Sequence, residues 1–374
     1  PAVGLAANAS RAPASGSGDL TNSFSVGLAV TAWELDFFGR VASLKEQALA
    51  QYLASEEGRN AAQVSLISAV ANGWLTLLAD EQLLELSRQT LATREESVRL
   101  TKLRLDSGAA SELDYRQAES LTQAARATLA QQQRQRALDE NALALLLGQP
   151  LPEDIRASLS RSDLRAAPSM QAIPAGLPSD LLAQRPDIRQ AEQQLVAANA
   201  NIGAARAAFF PRIALTAQAG TASGELSGLF KNGSWGFTLA PSLLLPLFDA
   251  GANQANLDSA QVGRKLAVAQ YEKSIQTAFR EVSDALASQS TLTEQLDAQT
   301  KQAEAEAIRL NLADLRYKNG VASYLDLLDA QRSLFSTQQG VVQVRLGQLQ
   351  NQVTLFKALG GGWDAQTAPT TKAH

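Results

Sequence analysis

The chain has 374 residues, 45% apolar and 19% charged, enough apolar content to bury a core and too much for a disordered chain. Its 33 Lys and Arg against 37 acids give a net charge of -4, which supplies no electrostatic footprint for nucleic acid. There is no Cys, and the one His is the last residue, His374, for which an expression scar is as simple an account as a native role; thiolates, imidazole bases and Cys/His zinc sites are excluded, and no cofactor is expected.

The N-terminal segment alternates. Ala2 to Ser10 reads as a short strand, followed by a Gly/Ser-rich link. Phe24, Val26, Leu28 and Val30 then point one way while Ser23, Ser25, Gly27, Ala29 and Thr31 point the other, the period of a strand with one greasy and one small polar face. Residues 1–38 are thus expected to form a β-hairpin. Trp33, Phe37 and Phe38 at its end suit a lipid-interface aromatic girdle, and equally core packing at a strand-to-helix joint.

From Val41 the period becomes helical. Val70, Leu77, Leu84, Leu91, Val98 and Leu105 recur at sevens, with Leu100 and Leu103 widening the stripe, the seam of a coiled coil. Val41 to Leu105 is 65 residues, so one helix would run roughly 100 Å. Asp106-Ser107-Gly108 ends it, Gly108 taking the left-handed conformation. Ser111 is placed to cap the next helix, with Glu112 and Asp114 in its first turn, and that limb runs to Leu147 before Gly148-Gln149-Pro150. Residues 39–148 are expected to be a helical hairpin.

Proline divides the chain: none lies between Pro13 and Pro150, and none between Pro246 and Pro369. The punctuated middle holds an irregular equatorial segment, 149–186, and a short helix over 187–210. It ends in a second β-hairpin over 211–250, with Ile213 to Gly220 as one strand and Trp235, Phe237, Leu239, Leu243 and Leu245 on the other. Glu112 to Leu147 and Asp187 to Phe210 together make about 60 residues, so two helices end to end would match the single long one.

Residues 251–360 repeat the first helical hairpin, and 361–374 are left as a tail. Shifting the chain by 212 positions (251 − 39) lays Gly39 to Gly148 on Gly251 to Gly360 without an insertion. Val70 meets Val282, Leu84 meets Leu296, Gly108 meets Gly320, and Ser111, Leu113 and Asp114 meet Ser323, Leu325 and Asp326. This is a tandem repeat, mainly α, each copy opening with a β-hairpin. Pro1 to Ser10 also resembles Pro211 to Gly220, which follows a helix, so a matching helix, with a leader and anchor, is expected upstream of Pro1. No stretch reaches about 18 consecutive apolar residues, and no transmembrane helix is expected. Four strands cannot close a barrel, which needs about eight, so several protomers must share one.

The duplicated hairpins, Arg185-Pro186-Asp187-Ile188 before Ala191-Glu192, Phe209-Phe210-Pro211, and PSLLLPLFDAG from Pro241 to Gly251 resemble TolC-family outer-membrane efflux proteins. TAWELDFFGR, LPSDLLAQRPDI and YLDLLDAQRSLF are most similar to the OprM-like (NodT-type) lipoprotein branch, and the resemblance covers essentially the whole chain. It implies a homotrimer with a shared 12-stranded β-barrel in outer-membrane lipid and an α-helical periplasmic tunnel. It also implies partners: a periplasmic membrane-fusion adaptor, and through it an inner-membrane transporter of the resistance-nodulation-division class. Such a duct passes exported small molecules out of the cell and is no enzyme; an N-terminal lipid on a Cys upstream of Pro1 is also implied.

Leu325, Asp329 and Arg332, with Asp326 on the same helix face, resemble the constriction of the family's gate. Arg316 and Tyr317 resemble residues that tie neighbouring helices shut, with Ser111 and Asp114 as candidate partners. The turns Ser107-Gly108-Ala109 and Asn319-Gly320-Val321 are the implied adaptor-docking tips. Taken without the resemblance, a solvated face with i,i+3 charge pairs is the simpler account of Asp326, Asp329 and Arg332, and helix termination alone explains Gly108 and Gly320. A non-transporting coiled-coil structural or adhesive envelope protein is the alternative; an exposed greasy β-hairpin argues against it.

Overall fold

The structure, a computed structural model, describes residues 2–13, 20–159, 164 and 184–361. In chain order it holds β1 (Val3–Pro13), β2 (Leu20–Leu35), α1 (Arg40–Asp106), α2 (Glu112–Leu147), α3 (Glu153–Leu159), α4 (Pro186–Ala207), β3 (Arg212–Ser223), a 3₁₀ turn (Leu226–Gly228), β4 (Trp235–Leu244), α5 (Ala252–Lys318) and α6 (Tyr324–Ala358). Backbone contacts divide the chain into two compact units, Pro1–Glu57 with Arg189–Lys273, and Gly58–Ile188 with Ser274–His374.

The repeat survives in the backbone to the residue. Arg40 and Asp106 bound α1, and Ala252 and Lys318, each 212 positions later, bound α5 (252 − 40 and 318 − 106). The glycines at the helix ends fall in three matched pairs of positive φ: Gly39 at 74° and Gly251 at 84°, Gly108 at 76° and Gly320 at 73°, Gly148 at 70° and Gly360 at 78°. A Cβ at any of these angles would be strained, so the sequence places glycine where each rod must turn. The short helix ends at Ala207, earlier than expected; Phe209 and Phe210 donate to Arg206 and Ala207 carbonyls in a tightened last turn before Pro211.

In the first unit the strands form one antiparallel sheet in the order β1-β2-β3-β4. β2 and β3 join the two hairpins, with Gly27 opposite Gly220. A Cβ on Gly27 would lie 2.7 Å from the Gly220 Cα, and one on Gly220 would strike the Val26 carbonyl, so only glycine permits this approach. A bulge between Val30 and Trp33 holds Ala32 at φ 47°. β1 and β3 each run three residues past their expected ends, Ser10 and Gly220 (13 − 10 and 223 − 220), because pairing continues to Pro13↔Leu20 and Phe24↔Ser223. β1 and β4 lie at the sheet edges, and β4 is exposed along its whole length, including Trp235 and Phe237. Where β2 meets α1, Glu34 accepts from Arg40 at 2.7 and 2.8 Å and pairs with Arg212 at 2.8 Å. Phe38 stacks on Phe210 at 4.9 Å while Phe37 stays exposed, so among the described residues only Phe38 of the aromatic trio has a ring partner, at the strand-to-helix joint.

The second unit holds the tips and most of the core. Leu77, Leu78, Leu143, Leu151, Leu159, Leu164 and Leu349 form one cluster, with Val70 packed on it. Of the seam leucines Leu77 and Leu84 are buried, Leu91 and Leu105 are half-buried, and Leu100 and Leu103 toward the tip are exposed, so the core expectation holds only for the part of the seam away from the tip. Arg185, 5% exposed, donates to Asp187, to Glu281 and to the Ala358 carbonyl, which makes the Arg-Pro-Asp-Ile turn a staple onto both α5 and α6. Asp80 on α1 is buried; burial and then a hydrogen bond with the Asp139 carboxyl of α2 push its pKa up to about 7, against the pull of Arg136. Arg136 pairs with Glu81 and Glu140, and Arg156 of α3 reaches Glu140 at 2.8 Å.

One expectation needs refinement: α1 contains an 18-residue window apolar enough by composition to cross a bilayer. Counting consecutive apolar residues misses it because polar residues interrupt the seam. Most of the equatorial segment 149–186, and all of the tail 361–374 except Gly361, lie outside the described residues, His374 among them.

Candidate gate and docking tips

Both tips are built the same way. At the first, Ala109 donates to the Arg104 carbonyl and Gly108 to that of Leu105; at the second, Val321 donates to Arg316 and Gly320 to Tyr317, the same bonds 212 positions on (321 − 109). These double closures satisfy the carbonyls that a helix end leaves unpaired. Ser111 Oγ then accepts from the Asp114 N–H while the Asp114 carboxylate accepts from the Ser111 N–H and hydroxyl. Ser323 and Asp326 form the same reciprocal box. The tip residues Ser107, Gly108, Ala109, Asn319, Gly320 and Val321 are therefore held by local rules, and Val321 stays 68% exposed.

This geometry sorts the candidate residues. Within one protomer, Ser111, Asp114 and Asp326 are committed to starting their own helices. Tyr317 finds its partners elsewhere: the Arg104 guanidinium sits 4.7 Å from its ring centroid, and its ring lies 5.4 Å from that of Tyr324. The two tips meet through Ala118 of α2 and Tyr324, Leu327 and Leu328 of α6, a buried cluster on which Val98, Leu310 and Tyr317 pack.

Asp329 is the charged centre of the second tip. It accepts from Arg309 of α5 at 2.6 Å and from Arg332 of α6 at 2.6 Å, and Arg309 also holds Glu306. Arg309 first, and then Arg332, hold the Asp329 carboxyl below the usual carboxylate range. Leu325, one turn earlier, is 64% exposed. Asp329 and Arg332 are thus brought together as their spacing predicts, while Arg309 and Arg104 are contributors absent from the sequence-based expectation. Arg309 and Asp329 lie at nearly equal distances on either side of Gly320, and folding the hairpin about that glycine would have found the pair.

The first tip has no such clamp. Its ion pairs stay along one helix, Arg116 pairing with Glu112 at 2.8 Å and Glu119 at 2.9 Å, while Lys102 crosses from α1 to lie over the Tyr115 ring, which Arg116 also faces. Farther along, Arg126 crosses to Glu95 at 2.8 Å.

The profile of the family described as "Outer membrane efflux protein" matches residues 1–149 and 177–361. The solvent efflux pump outer membrane protein SrpC of Pseudomonas putida is 50% identical over 348 residues, covering 93% of this chain and 73% of that protein. A crystal structure of a membrane protein from Pseudomonas aeruginosa superposes with a TM-score of 0.90 at 45% identity, covering 97% of this chain and 82% of that one. The open-state MtrE outer membrane channel of Neisseria gonorrhoeae gives 0.86 at 42% identity, with 97% and 81% coverage.

Proposed function

The chain belongs to the outer membrane efflux protein family, and from that membership we propose that the second tip is the gate of its duct and that both tips dock a periplasmic adaptor. The protein is the outer-membrane channel component of an efflux pump. Three copies would share a 12-stranded barrel, each giving four strands, and six helical hairpins would line the tunnel below it. The adaptor would connect this duct to an inner-membrane transporter of the resistance-nodulation-division class, which selects the cargo.

The observation that carries the gate is the Arg309–Asp329–Arg332 clamp, found at one tip only. Under three-fold symmetry it becomes three carboxylates, each neutralised by guanidinium groups of its own protomer. Such a ring can close without the repulsion that bare carboxylates would suffer. Leu325, exposed beside it, would supply the apolar constriction. Asp329→Ala should raise the conductance of the trimer in planar bilayers, and unchanged conductance in both Asp329→Ala and Arg332→Ala removes the gate from this tip. For docking, single cysteines placed beside Gly108 and Gly320 should cross-link to a helical-hairpin adaptor, and failure at every tip position ends that assignment.

A further inference from the structure

We infer that Arg94 is a positioning residue for this gate: by gripping Gln331 it sets the rotation of α6 about its own axis and so aims Asp329 and Arg332. The inference rests on the gate reading above. Arg94 lies on α1 and is 6% exposed. Its Nη1 donates to Gln331 Oε1 of α6 at 2.6 Å, and its own carbonyl accepts from Thr122 Oγ1 of α2 at 3.2 Å, so three helices meet at one residue.

The setting is unusual for an arginine. Among the described residues no carboxylate forms an ion pair with it; burial lowers its pKa against an opposing pull from Tyr324, and the charge of Arg332 adds to the lowering. A buried cation with a neutral acceptor is costly, and an apolar side chain of similar length would fill the space without that cost. What arginine adds is direction. At about 100° per helical residue, Gln331 turned toward α1 puts Asp329 roughly 200° away and Arg332 roughly 100° away. The exposures agree: Leu327, Leu328 and Ala330 are at most 5% exposed, whereas the Asp329 and Arg332 side chains are 40% and 73% exposed.

The repeat supplies a second observation. The position of Arg94 in the other copy is Glu306 (306 − 94 = 212), which pairs with Arg309, which holds Asp329. Equivalent places in the two hairpins therefore both bear on the first turns of α6, Arg94 by its bond to Gln331 and Glu306 through Arg309 on Asp329.

Conductance of the trimer in planar bilayers tests this, with Asp329→Ala as reference and thermal melting of the trimer as control. Arg94→Met should raise open probability roughly tenfold in the direction of Asp329→Ala, because one charge-assisted hydrogen bond is lost. Arg94→Lys, which can still donate, should restore closure, and Gln331→Glu should close the tip further. If Asp329→Ala opens the channel and Arg94→Met does not, the inference is overturned. It is also overturned if Arg94→Met and Arg94→Lys open the channel equally, with lowered melting, since that pattern reports packing alone. No response to Asp329→Ala removes the gate itself, and this inference with it.

Discussion

The tips of the two helical hairpins have one backbone and two distributions of charge. Both turn on a left-handed glycine, close with the same pair of backbone bonds and restart on a Ser–Asp capping box. At the first, Arg116 holds Glu112 and Glu119 on its own helix; at the second, Arg309 reaches across the hairpin to Asp329. Pairs along one exposed helix stiffen only that helix, and weakly, because water screens them. A pair between antiparallel helices opposes their separation; in the second copy that pair lies on Asp329, nine residues from the turn glycine (329 − 320), and in the first it is Arg126 with Glu95, farther from the turn.

The cores beneath the tips differ as well, and this difference should give the largest effect. Leu77 is fully buried in the main cluster, and its counterpart in the second copy is Gln289 (289 − 77 = 212). Leu77→Ala should cost about 2–5 kcal/mol in unfolding, and Gln289→Ala less than about 0.5 kcal/mol. Similar losses at both positions would show that the two hairpins share the core equally.

Next comes acidity. Asp80 has Leu292 as its counterpart (292 − 80 = 212). In the folded chain Asp80 titrates at about 7 instead of the ordinary 3.8, so it keeps a proton that the unfolded chain has released. The resulting penalty is absent below about pH 4, grows as pH rises, and is complete above about pH 7, where it reaches a few kcal/mol. Asp80→Leu, which imports the second copy's residue, should flatten this part of the stability–pH curve. A slope left intact would mean that the titration belongs to another group.

The smallest effects should be matched across the copies. Gly108→Ala and Gly320→Ala meet nothing within 4 Å, so only the left-handed backbone opposes them, at about 1 kcal/mol each. Ser111→Ala and Ser323→Ala should likewise lose about 1 kcal/mol apiece in urea unfolding. Unequal losses would show that one tip leans on its turn more than the other.

Much of this was legible in the sequence because the physics involved is local. The leucines at sevens, the turn glycines and Ser111 with Asp114 three residues on announce a seam, two ends and a cap, each within one or two helical turns. Asp326 shows how local rules can go unheeded: grouped with Asp329 by its spacing, it also completes the Ser-x-x-Asp pattern of a capping box, and that bond forms in the structure. Arg94 with Gln331, Arg104 with Tyr317 and Asp80 with Asp139 depend on which helix faces which. Periodicity states that a face is apolar without naming its neighbour. The raised pKa of Asp80 needs burial and a second carboxyl together, and neither is written at position 80.

The three glycine pairs, set 212 positions apart, make the hairpins intolerant of length change. One residue inserted into α1 would advance everything beyond it by about 1.5 Å and turn it by about 100°, carrying the seam off its partner. A ring of six such hairpins would then have one member out of step in each subunit. Substitutions can drift freely between the copies, as Leu77 against Gln289 shows, whereas insertions and deletions are admissible only as whole turns made in both rods of a hairpin, or outside the span from Gly39 to Gly148 and its twin.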